Sequence, residues 1–191
     1  MRRAVLVLAF AACCAPGAAD EAFGLPALMR ALASVPRAEA SFTEVRRMQV
    51  LSAPLELRGT LRYVRPDSLE RQVQTPYEET IRIEGGRVSV DNPARGVRRS
   101  YALAALPAAY AMVESLRATL AGDAAALERH YWLKLAGTRE SWLLTLTPRD
   151  AGVADMLAEV RLHGAAAHIT RIEYDEALGD RTVITIRESR P

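Results

Sequence analysis

From Leu55 to Tyr63 the chain alternates. Leu55, Leu57, Leu61 and Tyr63 fall on one side, with Glu56, Arg58, Thr60 and Arg62 on the other. A segment with this period of two is a strand with one apolar face, and that face must be covered by another layer. The strand stops at Pro66, which lacks an N–H for a ladder and holds the residue before it extended. Arg65 is thereby left at the rim of a sheet whose one face is apolar.

Strand-length segments follow one another closely, at about 38–50, 55–64, 68–75, 78–84, 87–91 and 96–101. Gly85-Gly86, between Ile83 and Val88, signals a two-residue hairpin, and Pro54, Pro66, Pro76 and Pro93 mark the joins. A short amphipathic helix carrying Leu25, Leu28, Met29 and Leu32 precedes them and ends at Val35-Pro36. After residue 101 the period changes to 3.6. Leu106, Tyr110, Val113, Leu116 and Leu120 form one stripe with Met112 beside it. Gly122 closes this helix, and Asp123 is placed to cap a shorter one through Arg129. Strands resume at about 130–137, 141–147, 157–163, 167–175 and 181–188.

Connections this short make neighbouring strands antiparallel. About eleven antiparallel strands must curl, split or close. A sheet that curls without closing leaves an apolar concavity, with the two apolar helices as its cover, and such a space is a usual ligand site. The alternative is that the helices complete an ordinary core. Periodicity does not separate the two.

The first 19 residues read as an export signal. Arg2 and Arg3 are followed by a small and apolar stretch from Ala4 to Ala15, and Gly17 and Ala19 suit cleavage before Asp20. The stretch is shorter than the roughly 20 residues needed to span a bilayer. Cleavage there leaves residues 20–191 as a single domain, removes both cysteines (Cys13 and Cys14) and so excludes disulfide and thiolate chemistry. Removal of Arg2 and Arg3 leaves 23 basic against 23 acidic residues. That balance argues against a nucleic-acid partner. Phe10-Ala11-Ala12-Cys13 also resembles a degenerate lipobox, and cleavage before Cys13 would give a lipoprotein.

No Gly-x-Ser-x-Gly nucleophile elbow and no Gly-Lys-Ser/Thr phosphate loop is present. His163 and His168 flank a turn expected over Gly164 to Ala167 and could face one another, but no third ligand lies near in sequence. His130 sits at a helix-to-strand junction, where packing explains it. Glu173, Asp175 and Glu176 gather near a strand end, as solubilising carboxylates do. An enzyme, a metal site and a cofactor are not expected.

Residues from about Leu28 to Pro93 resemble the LolA family of periplasmic lipoprotein carriers. The likeness rests on Leu28, Leu32 and Val35, then Ala40-Ser41-Phe42-Thr43, then Gly59, Leu61 and Arg65-Pro66. It continues through Pro76-x-Glu78, Ile81, Gly85 and Asn92-Pro93, in that order and spacing. The resemblance implies an incomplete antiparallel β-barrel of about eleven strands, with helices covering its concave face and an apolar cavity for acyl chains. It implies that Arg65, with Pro66, gates cargo by hydrogen-bonding carbonyls in the cover. It implies a cavity lining that includes Leu69 and Ile81. With the apolar faces read above, the expected lining is Leu55, Leu57, Leu61, Tyr63, Leu69, Arg71, Ile81, Ile83, Met112, Val113, Leu116, Leu120 and Trp142.

Two features depart from the pattern. Leu69 and Arg71 stand where the carriers have aromatic residues, so an arginine shares the inward face with Leu69 and Val73. The helical stretch around Ser115–Asp123 looks more like divergent LolA-like proteins associated with export of polyene-type or other lipid products. The resemblance thus implies a monomeric, non-enzymatic periplasmic carrier. An inner-membrane exporter would be its donor, an outer-membrane receptor its acceptor, and acyl chains of lipoproteins or a lipid product its cargo. A periplasmic sensor of lipoproteins is the other binding function the same fold would serve, and a lipid hydrolase is disfavoured by the missing nucleophile.

Overall fold

The computed structural model describes residues 23–105 and 107–188, so the export segment and both cysteines lie outside the described residues. Eleven strands form one antiparallel sheet: β1 Arg37–Arg47, β2 Leu55–Val64, β3 Ser68–Thr75, β4 Glu79–Glu84, β5 Arg87–Asn92, β6 Val97–Ala102, β7 Tyr131–Thr138, β8 Ser141–Pro148, β9 Leu157–Ala165, β10 His168–Glu176 and β11 Arg181–Glu188. Four helices accompany it: α1 Leu25–Ala33, α2 Pro107–Ala121, α3 Ala124–His130 and α4 Ala151–Ala154.

The sheet order is β6-β5-β4-β3-β2-β1-β11-β10-β9-β8-β7. Each strand therefore pairs with its neighbour in sequence, except at the centre, where β1 meets β11. The outer strands β6 and β7 each pair on one side only, so the barrel is incomplete.

Register stacks the inward residues in rows. Ala38, Tyr63, Leu69 and Ile83 align across β1 to β4, Ala40, Leu61, Arg71 and Ile81 form the next row, and Phe42, Gly59, Val73 and Glu79 the third. Glu44 stands between Leu57 and Ile184. A bulge separates Arg58 from Gly59, and a Cβ on Gly59 would stand 1.8 Å from the Gln72 carbonyl oxygen. Only glycine allows β2 and β3 to approach this closely.

The core is lopsided. Over β7 to β10 the concave face is filled by Trp142, Leu144, Leu146, Val160, Leu162 and Ile172, against Leu28, Met29 and Leu32 of α1 and Leu127 of α3. Over β1 to β3 only Phe42, Leu57 and Val73 make a fully buried cluster.

The helix ends form for local reasons. Asp123 caps α3 by accepting the Ala126 N–H at 2.9 Å. Gly122 takes the left-handed conformation (φ 69°) after α2, and a Cβ there would lie 2.2 Å from the Met29 carbonyl oxygen of α1. Helix α4 was not legible by period, being a single turn; Asp150 caps it through the Val153 N–H at 3.1 Å. No helix among the described residues is long and apolar enough to cross a membrane.

Candidate functional site

Where the core is thin, a cavity of about 380 Å³ opens between the sheet and α2. Helix α2 turns Val113, Leu116 and Leu120 onto it, spaced as one helical stripe. Leu61, Leu69, Ile81 and Ile83 form its wall on β2 to β4, and Ile169, Ile172, Ile184 and Ile186 form the opposite wall on β10 and β11. Most of these aliphatic side chains are only half-buried, because they border space instead of neighbouring atoms.

Nine of the thirteen side chains expected to line a cavity come together here: Leu61, Tyr63, Leu69, Arg71, Ile81, Ile83, Val113, Leu116 and Leu120. Leu55 and Leu57 instead pack with Phe42 and Val73, one level beyond. Trp142 lies in the packed half. Its ring covers Gly164, where a Cβ would stand 2.1 Å from Trp142 Cζ2, and its Nε1–H donates to the Ala166 carbonyl at 3.1 Å. The Met112 side chain lies outside the described residues.

Within the apolar wall lies a buried ionic cluster. Glu44 is 1% exposed, and its carboxylate accepts from Arg71 Nη2 at 2.6 Å and from Arg46 Nε. The Arg71 guanidinium lies 5.0 Å from the Phe42 ring centroid, and its Nη1 is 3.6 Å from Glu79 Oε1. Arg71 thus borders the cavity with its charge already matched. Sequence reasoning passed over Glu44 and Arg46, although a signal existed: both occupy inward positions in the alternation begun by Ala40 and Phe42.

Two tyrosines complete the polar part. Tyr174 is buried beside Glu44, and burial, then the nearby carboxylate, raises its phenol pKa. Burial likewise raises that of Tyr63, which is 3% exposed. Both remain neutral hydrogen-bonding groups at physiological pH.

Arg65 and Pro66 are exposed and stand outside the lining. The Arg65 N–H donates to the Pro36 carbonyl at 3.0 Å, and its guanidinium donates to the carbonyl of Ala33, the last residue of α1. A cation at a helix C-terminus also meets the favourable end of the helix dipole. Arg65 therefore ties β2 to the end of α1, beside the lining residue Val35.

The histidines do not converge. The β9–β10 turn is the two residues Ala166-Ala167, which sets His163 opposite Arg171 and His168 opposite Ala165. His163 Nε2 lies 3.3 Å from Glu173, while His168 contacts Glu188. Among the described residues no group of three or more His, Cys, Asp or Glu could hold a metal ion. Glu173 is a hub on the convex face, bound by Arg161 at 2.8 Å, Arg171 at 2.7 Å and Arg181 at 2.5 Å. Burial pushes its pKa up, but the hydrogen bonds from Arg161 and Arg181 outweigh this and hold the carboxyl at about 2.

The chain is similar to several solved structures. A LolA superfamily protein from Nitrosomonas europaea shares 13% identity over 89% of this chain and 95% of its own, with a TM-score of 0.47. A putative outer membrane lipoprotein-sorting protein domain from Vibrio parahaemolyticus shares 9% over 87% and 90%, with a TM-score of 0.43. The MucA/MucB complex of Pseudomonas aeruginosa contains a chain with 14% identity over 87% of this chain and 58% of that one, at a TM-score of 0.45. No curated protein matches by sequence. The family model described as "outer membrane lipoprotein carrier protein LolA-like" matches residues 15–186. By that match the chain belongs to the LolA-like family.

Proposed function

We propose that the protein is a periplasmic carrier that takes acylated or lipid-like cargo into the cavity under α2 and moves it from the inner toward the outer membrane. The observation that carries this reading is an aliphatic cavity of about 380 Å³, within the usual range for ligand sites, in a chain of the LolA-like family. Burying acyl chains contributes about 0.8 kcal/mol per CH₂, so an aliphatic wall suffices for affinity.

Residues 1–19 direct export, and residues 20–191 form the one carrier domain, acting as a monomer without catalysis. An inner-membrane exporter loads it and an outer-membrane receptor unloads it. Arg65 gates the exchange by holding the end of α1, a bond of only about 1–3 kcal/mol that suits reversible opening. Leu69 and Arg71, which give this cavity an aliphatic and an ionic group where the carriers have aromatics, favour a non-protein lipid as the alternative cargo.

Native mass spectrometry of protein purified from the periplasm, followed by release and identification of bound material, tests the reading. A co-purifying lipoprotein supports the lipoprotein carrier, and a small lipid supports the alternative. Protein that arrives empty and takes up no lipid on incubation would overturn both.

A further inference from the structure

Among the described residues seven large apolar side chains are exposed, and four of them stand at one end of the barrel: Val50, Leu51, Met156 and Leu178. Val50 and Leu178 are each 83% exposed, so they touch almost nothing of their own protein. Single apolar residues on a surface need no explanation, but a group gathered at one end does. The four sit on adjoining loops, between β1 and β2, between α4 and β9, and between β10 and β11. This is the end of β2 away from Arg65.

The loops are fixed to one another. The Gln49 N–H donates to Asp180 Oδ1 at 2.8 Å, and the Gln49 side-chain Nε2 donates to the Leu178 carbonyl. The Ala177 N–H donates to the Met156 carbonyl at 3.1 Å, and the Leu51 N–H closes a turn onto the Met48 carbonyl at 3.0 Å. Hydrogen bonds thus hold the apolar tips out in solvent. Tips ordered in advance lose little freedom on binding, which lowers the cost of docking.

Composition decides the partner. Residues 48–54 and 177–179 contain no charged side chain, and none of the Trp, Tyr or Arg residues that anchor protein interfaces. Separate aliphatic side chains on loop tips fit a fluid hydrocarbon, which needs no matching pocket. Around them Arg47, Arg149 and Arg181 are offset by Asp150, Asp155, Glu176 and Asp180, so no basic field draws the loops to anionic headgroups.

We infer that this end of the barrel docks on a lipid bilayer, with Val50, Leu51 and Leu178 inserted among the acyl chains. The surface is distinct from the cavity and stands without the carrier reading. Its position still bears on that reading. The cavity lining extends to Met48, Glu176 and Thr182 at the bases of two of these loops, so docking brings that end of the cavity to the bilayer.

Flotation of protein purified from the periplasm with phosphatidylcholine vesicles measures docking, with the double variant Val50→Ser/Leu178→Ser beside the wild type. Both side chains are exposed, so the thermal midpoint is expected to stay unchanged, which separates a binding effect from a folding one. The wild type is expected to float with these neutral vesicles, unmoved by added salt, and the variant to partition at least about tenfold more weakly. Wild type that does not float would overturn the inference, as would a variant that floats equally well. Flotation with anionic vesicles alone, abolished by salt, would overturn it in favour of charge. A dimer in sedimentation that the double substitution abolishes, without flotation, would make the surface a contact between copies instead.

Discussion

A single carboxylate on the convex face ties three strands together. Glu173 on β10 is reached by Arg161 from β9 and Arg181 from β11, and its folded pKa of about 2 lies below the ordinary value of 4.5. A depressed folded pKa means stability that is present above the unfolded value and lost as pH falls from about 4.5 through about 2. That contribution is roughly 2–3 kcal/mol. Urea unfolding of the wild type is therefore expected to lose stability steeply across this window. Glu173→Gln should be less stable at pH 7 and flatter below 4.5; a variant curve parallel to the wild type would refute the assignment. The sequence showed Glu173, Asp175 and Glu176 as a solubilising group, and for Glu173 the surroundings differ. Alternation places it outward with Arg171 of the same strand, but only register brings Arg161 and Arg181 over it. For the same reason the pairing of Arg71 with Glu44 is not legible, although alternation does put Glu44 on the inward face, since an ion pair across strands depends on register that no local pattern carries.

At the scale of elements, most boundaries were written locally. Proline and paired glycines marked the strand joins, and Gly122 and Asp123 marked the break between α2 and α3, as found. The single turn α4 had no period to read, and the β9–β10 hairpin is tighter than expected, which separated His163 from His168. The particular carbonyl that receives Arg65, that of Ala33 in α1, also lay beyond sequence reasoning, which expects carbonyls of the helical cover without singling one out. The bond makes α1 part of the cover, since α1 packs against the end of α2 through Met29 and Gly122. Arg65→Leu removes one exposed, charge-assisted bond. The unfolding free energy should fall by no more than about 1–3 kcal/mol, while the release rate of a bound acyl probe rises several-fold. Unfolding of this variant, or unchanged release, would remove Arg65 from the gate.

For the whole molecule, most of the eleven-strand sheet was legible because nine of its ten pairings join consecutive strands through short connections, while the tenth, β1 with β11, has no local signal. Which apolar residues pack and which border space was not legible. Leu57 and Leu61 look alike in sequence, yet one is fully buried and the other faces the cavity. Curvature and the lopsided filling of the concave face decide that, and both are global. The same asymmetry predicts uneven protection in amide hydrogen exchange. Amides of β8 to β10, over the packed half, should open at a higher free energy than those of β3 to β5; uniform protection across the sheet would contradict a thin core on that side. The order of the sheet has a last consequence. Its outermost strands, β6 and β7, are consecutive in the chain, and the segment joining them carries α2 and α3 across the open side. Swinging α2 aside therefore breaks no inter-strand hydrogen bond. On the carrier reading proposed above, admitting cargo would cost the packing of α2 on its neighbouring helices and on the core beneath it, and would leave the strand ladder intact.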